Sequence, residues 1–155
     1  MVMSYQGARV APSKQPEKQQ ISVKDHMATN LISFSPEETI EEVIRKLTEA
    51  NISGGPVVGK DNQLLGIISE GDCLKALMGE KYHNQPSIGL TVKDCMVTKV
   101  IHIAPELDLF EVAKMFLERR VRRFPVLDKE GKVIGQISQK DVIMAMNGIK
   151  GQTWH

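Results

Sequence analysis

The stretch Val23-Lys24-Asp25-His26-Met27 occurs a second time, with one change, as Val92-Lys93-Asp94-Cys95-Met96. The two stretches lie 69 positions apart, and this offset holds without a gap when residues 21–79 are aligned with residues 90–148. The alignment contains 20 identities in 59 positions. A fixed period of this kind is the signature of a repeated structural unit, so the sequence predicts two copies of one fold, repeat 1 (21–79) and repeat 2 (90–148).

Both repeats show the same order of secondary-structure signals. A short apolar strand (31–34 and 100–103) precedes a helix, and in repeat 1 Ser35-Pro36-Glu37-Glu38 reads as a capping box with proline at the first helical position. A β-hairpin follows, with turn residues at 59–62 and 128–131, and then a second helix. The apolar face of the first helix is predicted from helical spacing at Ile40, Val43, Ile44 and Leu47, and at Leu109, Val112, Ala113 and Phe116.

We therefore predict an α+β fold of two repeats related by a pseudo-two-fold axis, each with a small three-stranded sheet and two helices. Such a sheet is too small to bury both of its faces alone, so the repeats should pack together and create two clefts at their seam. The predicted domain organisation is a disordered N-terminal tail (1–20), repeat 1, a linker (80–89), repeat 2 and a C-terminal tail (149–155).

Composition argues against several classes of function. With 20 basic and 19 acidic residues the net charge is +1, too weak a field for a nucleic-acid partner. No segment has the roughly 20 apolar residues of a membrane span or the pattern of a signal peptide, so we expect a cytoplasmic protein without membrane contact. Cys73 and Cys95 lack metal-ligand spacing and no activated nucleophile is visible, so neither a metal site nor an enzyme is predicted.

The end of each repeat carries the most specific motif. Gly66-x-Ile68-Ser69-x-x-Asp72 and Gly135-x-Ile137-Ser138-x-x-Asp141 both follow a Pro-Val strand, at Pro56-Val57 and Pro125-Val126. Together with the order of elements, this doubled motif resembles the CBS domain, named after cystathionine β-synthase. The resemblance covers residues 21–148 and implies a stand-alone CBS pair, or Bateman module, that senses an adenosyl ligand (AMP, ADP, ATP or S-adenosylmethionine) and needs no catalytic cofactor.

The resemblance also implies the roles of individual residues. Asp72 and Asp141 would accept hydrogen bonds from ribose hydroxyls, and Ser69 and Ser138 would meet phosphate near a helix N-terminus, which favours anions. The alternative is that these four residues only cap helices. Adenine contacts are implied in segments 30–32 and 54–57 and in segments 99–101 and 124–126, where core packing is the alternative; the candidates are Ile32, Gly54, Gly55, Pro56, Ile101, Phe124 and Pro125.

The repeats differ where a ligand would bind. Repeat 2 carries Arg119-Arg120-Val121-Arg122-Arg123-Phe124, whereas the aligned residues of repeat 1 are Ala50-Asn51-Ile52-Ser53-Gly54-Gly55. In CBS pairs of the AMP-activated kinase family, basic residues at this point reach across the seam to phosphates. By that analogy Arg123, with Arg122, would complete the cleft of Asp72. The cleft of Asp141 would face Ser53 and Gly54 and be empty or take a less anionic ligand. A solvated helix end is the alternative, and it suits Arg119 and Arg120.

The first helices differ as well. Phe110, Met115 and Leu117 of repeat 2 replace Glu41, Lys46 and Thr48 of repeat 1, in the order of the sequence, so repeat 2 is apolar where repeat 1 is polar. Because exposed apolar patches often mark contacts, this face predicts a homodimer, with packing at the seam as the alternative.

The leading functional hypothesis is a regulatory adenosyl-nucleotide-binding module acting on a separate effector protein. The competing hypothesis is a ligand-free module for protein interaction and dimerisation.

Overall fold

The computed structural model of this chain describes residues 21–82 and 89–153. The N-terminal tail of residues 1–20 and most of the linker lie outside the described residues. Repeat 1 contains helix α1 (Ile40–Ala50), strands β1 (Gly54–Val58) and β2 (Leu64–Ser69) and helix α2 (Glu70–Tyr82). Repeat 2 contains the short helix α3 (Val92–Cys95), helix α4 (Leu109–Glu118), strands β3 (Arg123–Leu127) and β4 (Val133–Ser138) and helix α5 (Gln139–Thr153). Helices α2 and α5 continue past residues 79 and 148, so they enter the segments that we assigned to the linker and the C-terminal tail.

The two predicted hairpins are present, and the α+β fold of paired repeats is confirmed. Strands β1 and β2 pair antiparallel from Gly54 opposite Ser69, and β3 and β4 pair in the matching register from Arg123 opposite Ser138. Both hairpins have a register shift one residue before the end of their first strand. The repeated sequence therefore produces repeated geometry down to the irregularity in each ladder. No helix in the described part of the chain is long and apolar enough to cross a membrane.

The predicted third strand of each sheet is wrong, because each sheet has two strands. Phe34 and Ile103 form only single parallel bridges, to Val57 and Val126. The bonds at the first bridge run from the Phe34 N–H to the Pro56 carbonyl (3.0 Å) and from the Val58 N–H to the Phe34 carbonyl (2.9 Å). A continuing parallel ladder would next need an N–H at Pro56 for the Ile32 carbonyl. Proline has none, so the ladder stops.

Repeat 2 stops its ladder for the same reason. Ile103 donates to the Pro125 carbonyl (3.0 Å) and accepts from Leu127 (3.0 Å), and Pro125 has no N–H for the carbonyl of Ile101. The aligned prolines of the two Pro-Val strands therefore shorten both sheets in the same way. In each repeat the segment just before the bridge is left with free backbone groups.

The start of helix α1 also differs from the prediction. The helix begins at Ile40, and its capping box is formed by Thr39 and Glu42: the Thr39 hydroxyl accepts from the Glu42 N–H (3.2 Å) and the Glu42 carboxylate accepts from the Thr39 N–H (2.8 Å). Ser35 and Glu38 instead close a turn, in which the Glu38 carboxylate accepts from the Ser35 N–H (2.8 Å). The carbonyls of Pro36 and Glu38 accept from residues 93 and 92, at 3.0 and 2.8 Å, so they are not available to a helix.

Each repeat is completed by a segment of the other. Val23 is fully buried in the core of repeat 2, and its N–H donates to the Leu107 carbonyl (2.9 Å). Val92 is fully buried in the core of repeat 1, and its N–H donates to the Glu38 carbonyl (2.8 Å). The stretch that revealed the repeat is therefore the stretch that the two repeats exchange, and neither core is complete without its partner.

Helices α1 and α4 differ less in the burial of their aligned residues than the sequence predicts. Lys46 is half-buried, with its ammonium 2.8 Å from the Ser33 carbonyl, 3.1 Å from the Glu38 carboxylate and 4.6 Å from the centre of the Phe34 ring. In repeat 2 the aligned Met115 packs against the core. Phe110 and Leu117 remain 47% and 88% exposed, so packing at the seam accounts for Met115 and not for the other two.

We expect Val23→Ala to destabilise the protein by about 2 kcal/mol, because the substitution leaves a cavity in the core of repeat 2. Chemical denaturation followed by circular dichroism measures this change. The neighbouring exposed Lys24→Ala is the control and should shift stability by less than about 0.5 kcal/mol. Equal stability of the two variants would contradict the segment exchange.

Candidate functional site

A cleft of about 510 Å³ opens at the seam between the repeats. It brings together six of the predicted site residues, two from repeat 1 (Ser69 and Asp72) and four from repeat 2 (Ile101, Arg122, Arg123 and Phe124). The remaining lining residues are Ser53, Ile67, Glu70, Gly71, Val97, Lys99, Val100, Arg120 and Val121. The predicted association of Asp72 with Arg122 and Arg123 is therefore present in the fold.

Asp72 is held rigidly at the first turn of α2. Its side chain is 8% exposed, and its Oδ2 accepts from the Ser69 N–H (2.8 Å) and from the Ser69 hydroxyl (3.1 Å). Within the described residues its other oxygen, Oδ1, has no hydrogen-bond donor. A buried carboxylate with one bonded and one unbonded oxygen is an acceptor whose position is fixed in advance, as a diol would require.

The two motif serines are used differently. The Ser69 hydroxyl donates to the Asp72 carboxylate (3.1 Å), whereas the Ser138 hydroxyl accepts from the Asp141 N–H (3.1 Å). Ser138 therefore caps its helix as the alternative interpretation expected, while Ser69 does not place its oxygen over the N-terminus of α2. Since residues 70–72 line the cleft, the N-terminus of a 13-residue helix faces this space and favours an anion there.

Arg123 crosses the seam from β3. Its guanidinium donates a hydrogen bond to the Ser53 hydroxyl of repeat 1, and it passes over Gly54, where a Cβ atom would lie 3.0 Å from Nη1. Burial lowers the pKa of Arg123, the charge of Arg122 lowers it further, and Glu70 partly offsets both effects. No carboxylate of the described residues forms an ion pair with Arg123.

This geometry corrects the predicted place of Ser53 and Gly54. We expected both to face the cleft of Asp141, but Ser53 lines the cleft of Asp72 and Gly54 lies against Arg123. The first residues of β1 and β3 meet near the pseudo-two-fold axis, so a residue of either strand is within reach of both sides. The small side chains of repeat 1 thus make room for the large ones of repeat 2.

Charge in the cleft is predominantly positive. Four basic residues line it (Lys99, Arg120, Arg122 and Arg123), and two acidic ones do (Glu70 and Asp72), which leaves a net charge of +2. Sequence reasoning assigned Arg120 to a helix end and did not single out Glu70. The signal for Glu70 was its place directly after Ser69 in the motif, where repeat 2 has Gln139.

Backbone groups without hydrogen-bond partners also line the cleft. Val100 and Ile101 make no backbone–backbone hydrogen bond within the described residues, and Pro125 has no N–H for the carbonyl of Ile101. Val97 and Ile101 are 49% and 38% exposed beside these groups. Apolar surface with an adjacent N–H and C=O suits a flat heterocycle that carries both a donor and an acceptor.

The residues predicted around Asp141 do not gather in the same way. Asp141 lines a separate cavity of about 490 Å³ with His26 and Met144, and Pro56 lines another of about 120 Å³. Pro125 is buried in β3, and Gly55 packs closely on repeat 1, where a Cβ atom would lie 2.7 Å from the carbonyl of Ile32. Ile32 is 38% exposed. The three cavities of the described residues thus group the residues predicted for the cleft of Asp72, and not those predicted for the cleft of Asp141.

The thiols of Cys73 and Cys95 are not activated as nucleophiles. Burial, together with the charge of Asp72, raises the pKa of the Cys73 thiol to about 11, so the thiol is protonated at neutral pH. Burial also raises the pKa of Cys95. In the described ranges, no three His, Cys, Asp or Glu side chains are grouped so that they could hold a metal ion.

Comparison with known proteins identifies the fold. The CBS domain family model matches residues 23–79 and 92–148. Uncharacterized protein MJ1426 of Methanocaldococcus jannaschii is 30% identical over 155 residues, which cover 80% of this chain and 90% of that protein. This chain spans 21 to 61% of the length of other curated relatives that it matches.

Solved structures give the same result. CBSX2, a CBS-pair protein from Arabidopsis thaliana solved in complex with AMP, has a TM-score of 0.75 and 29% identity, over 83% of this chain and 98% of that one. The CBS domain pair of protein MJ0100, in complex with 5′-methylthioadenosine and S-adenosyl-L-methionine, has a TM-score of 0.72 and 26% identity, over 85% and 100% of the two chains. The chain therefore belongs to the CBS domain family and carries two CBS domains in tandem.

Proposed function

We propose that this chain is a regulatory module that binds an adenine nucleotide in the cleft between Asp72 and Arg123 and does no covalent chemistry itself. The observation that carries the proposal is the half-buried guanidinium of Arg123, which lines the same cleft as the N-terminus of α2 and forms no ion pair with a carboxylate of the described chain. Burying a cation that is not directly paired is costly, and a bound anion reduces that cost.

Each part of a nucleotide has a matching surface in the cleft. The adenine lies between Val97, Ile101 and the free backbone at Val100. The ribose hydroxyls donate to Oδ1 of Asp72. The phosphate accepts from Arg123, with Arg122 beside it, and such charge-assisted bonds contribute about 1.5 to 3 kcal/mol each.

The ligands found in related proteins support an adenosyl ligand for this chain, and the charge of the cleft favours an anionic one. CBSX2 was solved with AMP, and the MJ0100 pair with 5′-methylthioadenosine and S-adenosyl-L-methionine. Of these, AMP is the anionic ligand. A cleft with a net charge of +2 favours a nucleotide that carries phosphate over a neutral or cationic adenosyl compound.

Regulation follows from where the cleft lies. Its ribose acceptor belongs to repeat 1 and its phosphate donor to repeat 2, so a ligand that contacts both stabilises one arrangement of the repeats. A ligand shifts such an equilibrium only by its difference in affinity for the two states. We propose that a separate effector protein, or a second copy of the chain, responds to that arrangement.

Thermal unfolding tests the site. At about 100 times its Kd, AMP should stabilise the protein by about 2.7 kcal/mol, which corresponds to about 5 to 10 °C in Tm for a chain of this size. Asp72→Ala should abolish the shift, since it removes the ribose acceptor. Asp141→Ala loses the corresponding cap of repeat 2 and serves as the matched comparison, which should keep the shift.

A panel of AMP, ADP, ATP and S-adenosylmethionine at millimolar concentration completes this test. No shift with any of them in the wild-type protein would refute a nucleotide site. A shift lost with Asp141→Ala and kept with Asp72→Ala would move the site to the other repeat.

Neutralising an acidic residue of the cleft gives a second test of its preference for anions. Glu70→Gln should tighten AMP binding about threefold, because it removes a negative charge from the anion cleft, and the gain should shrink at high salt. Calorimetric titration at low and high ionic strength measures both effects. Glu111→Gln, on the exposed surface of α4, is the control. Weaker AMP binding by Glu70→Gln would mean that Glu70 contacts the ligand directly.

A second candidate function, protein interaction and dimerisation, is favoured by the exposed side chains of Phe110 and Leu117. They lie seven residues apart on α4 and so share a face. Apolar side chains this exposed are often covered by a partner. The second helices offer a competing surface at Leu74, Ile143 and Met144, which are 60%, 63% and 63% exposed.

Two variants separate these surfaces. If the chain pairs through α4, light scattering after gel filtration should show a dimer for the wild-type protein and a monomer for Phe110→Glu, because a buried carboxylate disfavours the interface. Ile143→Glu should then remain dimeric. The reverse result would place the contact on α5, and a wild-type monomer would rule out the homodimer.

A further inference from the structure

We propose that Ser53 binds phosphate directly: its hydroxyl and the guanidinium of Arg123 form a composite anion clamp that exists only when the two repeats are correctly docked. This proposal rests on the proposed function, since it assigns a further residue to the same site. Ser53 lies outside the Gly-x-Ile-Ser-x-x-Asp motifs, and the residue aligned with it in repeat 2 is Arg122.

Two hydrogen bonds fix Ser53 between the repeats. Its hydroxyl oxygen accepts from Nη2 of Arg123, and its carbonyl accepts from the Glu70 N–H at 2.9 Å. The first bond reaches into repeat 2, and the second holds the N-terminus of α2 in repeat 1. A single residue thereby fixes the distance between the two groups that would bind a phosphate, the guanidinium and the helix N-terminus.

The bonding capacity of both partners is only partly used. A serine hydroxyl has one donor and two acceptor sites, and a guanidinium has five donors. Within the described residues, the Ser53 hydroxyl has no acceptor for its own hydrogen, and Arg123 has no hydrogen-bond acceptor other than Ser53. A phosphate oxygen in the cleft can therefore accept from Ser53 and Arg123 together, without breaking the bond between them.

Because the clamp joins a residue of each repeat, phosphate binding depends on how the repeats are docked. Arg123 reaches Ser53 because Gly54 has no side chain in its path, where a Cβ atom would lie 3.0 Å from Nη1. Adenine and ribose contacts do not need the clamp. Loss of the Ser53 hydroxyl should therefore weaken the binding only of ligands that carry phosphate. This distinguishes a role in phosphate binding from general damage to the fold.

The experiment compares AMP with adenosine by calorimetry on the full chain. Ser53→Ala should weaken AMP about tenfold, the loss expected for one hydrogen bond to a charged group, and leave adenosine within twofold. Ser53→Thr keeps the hydroxyl and should restore AMP to within threefold of the wild-type Kd. Ser35→Ala, a half-buried serine outside the cleft, is the control and should bind both ligands like the wild-type protein.

Each outcome decides between the proposals. If Ser53→Ala weakens AMP and adenosine equally, or leaves AMP unchanged, Ser53 does not bind phosphate, although the nucleotide site stands. Failure of Ser53→Thr to restore AMP binding also counts against the clamp. If the wild-type protein binds neither AMP nor adenosine, the proposed function fails, and the clamp fails with it.

Discussion

The exchange of the segments around Val23 and Val92 is the constraint on which the rest of this structure depends. Each segment donates backbone hydrogen bonds to the other repeat, at 2.9 and 2.8 Å, and buries its valine completely there. A repeat that folded alone would lack part of its core. The two repeats are therefore one cooperative unit, and the contacts that complete each core also fix the packing at their seam.

The residues that we propose to bind a ligand are arranged along that seam. Asp72 is placed by α2 of repeat 1, and Arg123 is placed by β3 of repeat 2, and their positions relative to each other are set by the docking of the repeats. Repeat 1 has small residues at Ser53 and Gly54, and repeat 2 has long basic ones at the aligned positions, so that two similar scaffolds form one asymmetric cleft.

The sequence was sufficient for the repeat and the hairpins, because the internal alignment has no gaps, and for the family, because the motif occurs twice. The meeting of Asp72 with Arg123 in one cleft followed from the resemblance to nucleotide-binding CBS pairs. It was not sufficient where the outcome depends on contacts between repeats. Thr39 and not Ser35 caps α1, since the carbonyls near Ser35 bind the exchanged segment. Ser53 belongs to the cleft of Asp72 because β1 and β3 meet at the axis, and aligning the repeats cannot reveal that proximity.

The prolines in β1 and β3 also affect how the open edges of the sheets can meet other molecules. A short sheet with an open edge is a template on which strands of other molecules can add. The nitrogens of Pro56 and Pro125 lie on that edge and cannot donate to an incoming strand. The same two residues that end each parallel ladder thus make the open edge of each sheet a poor template for aggregation.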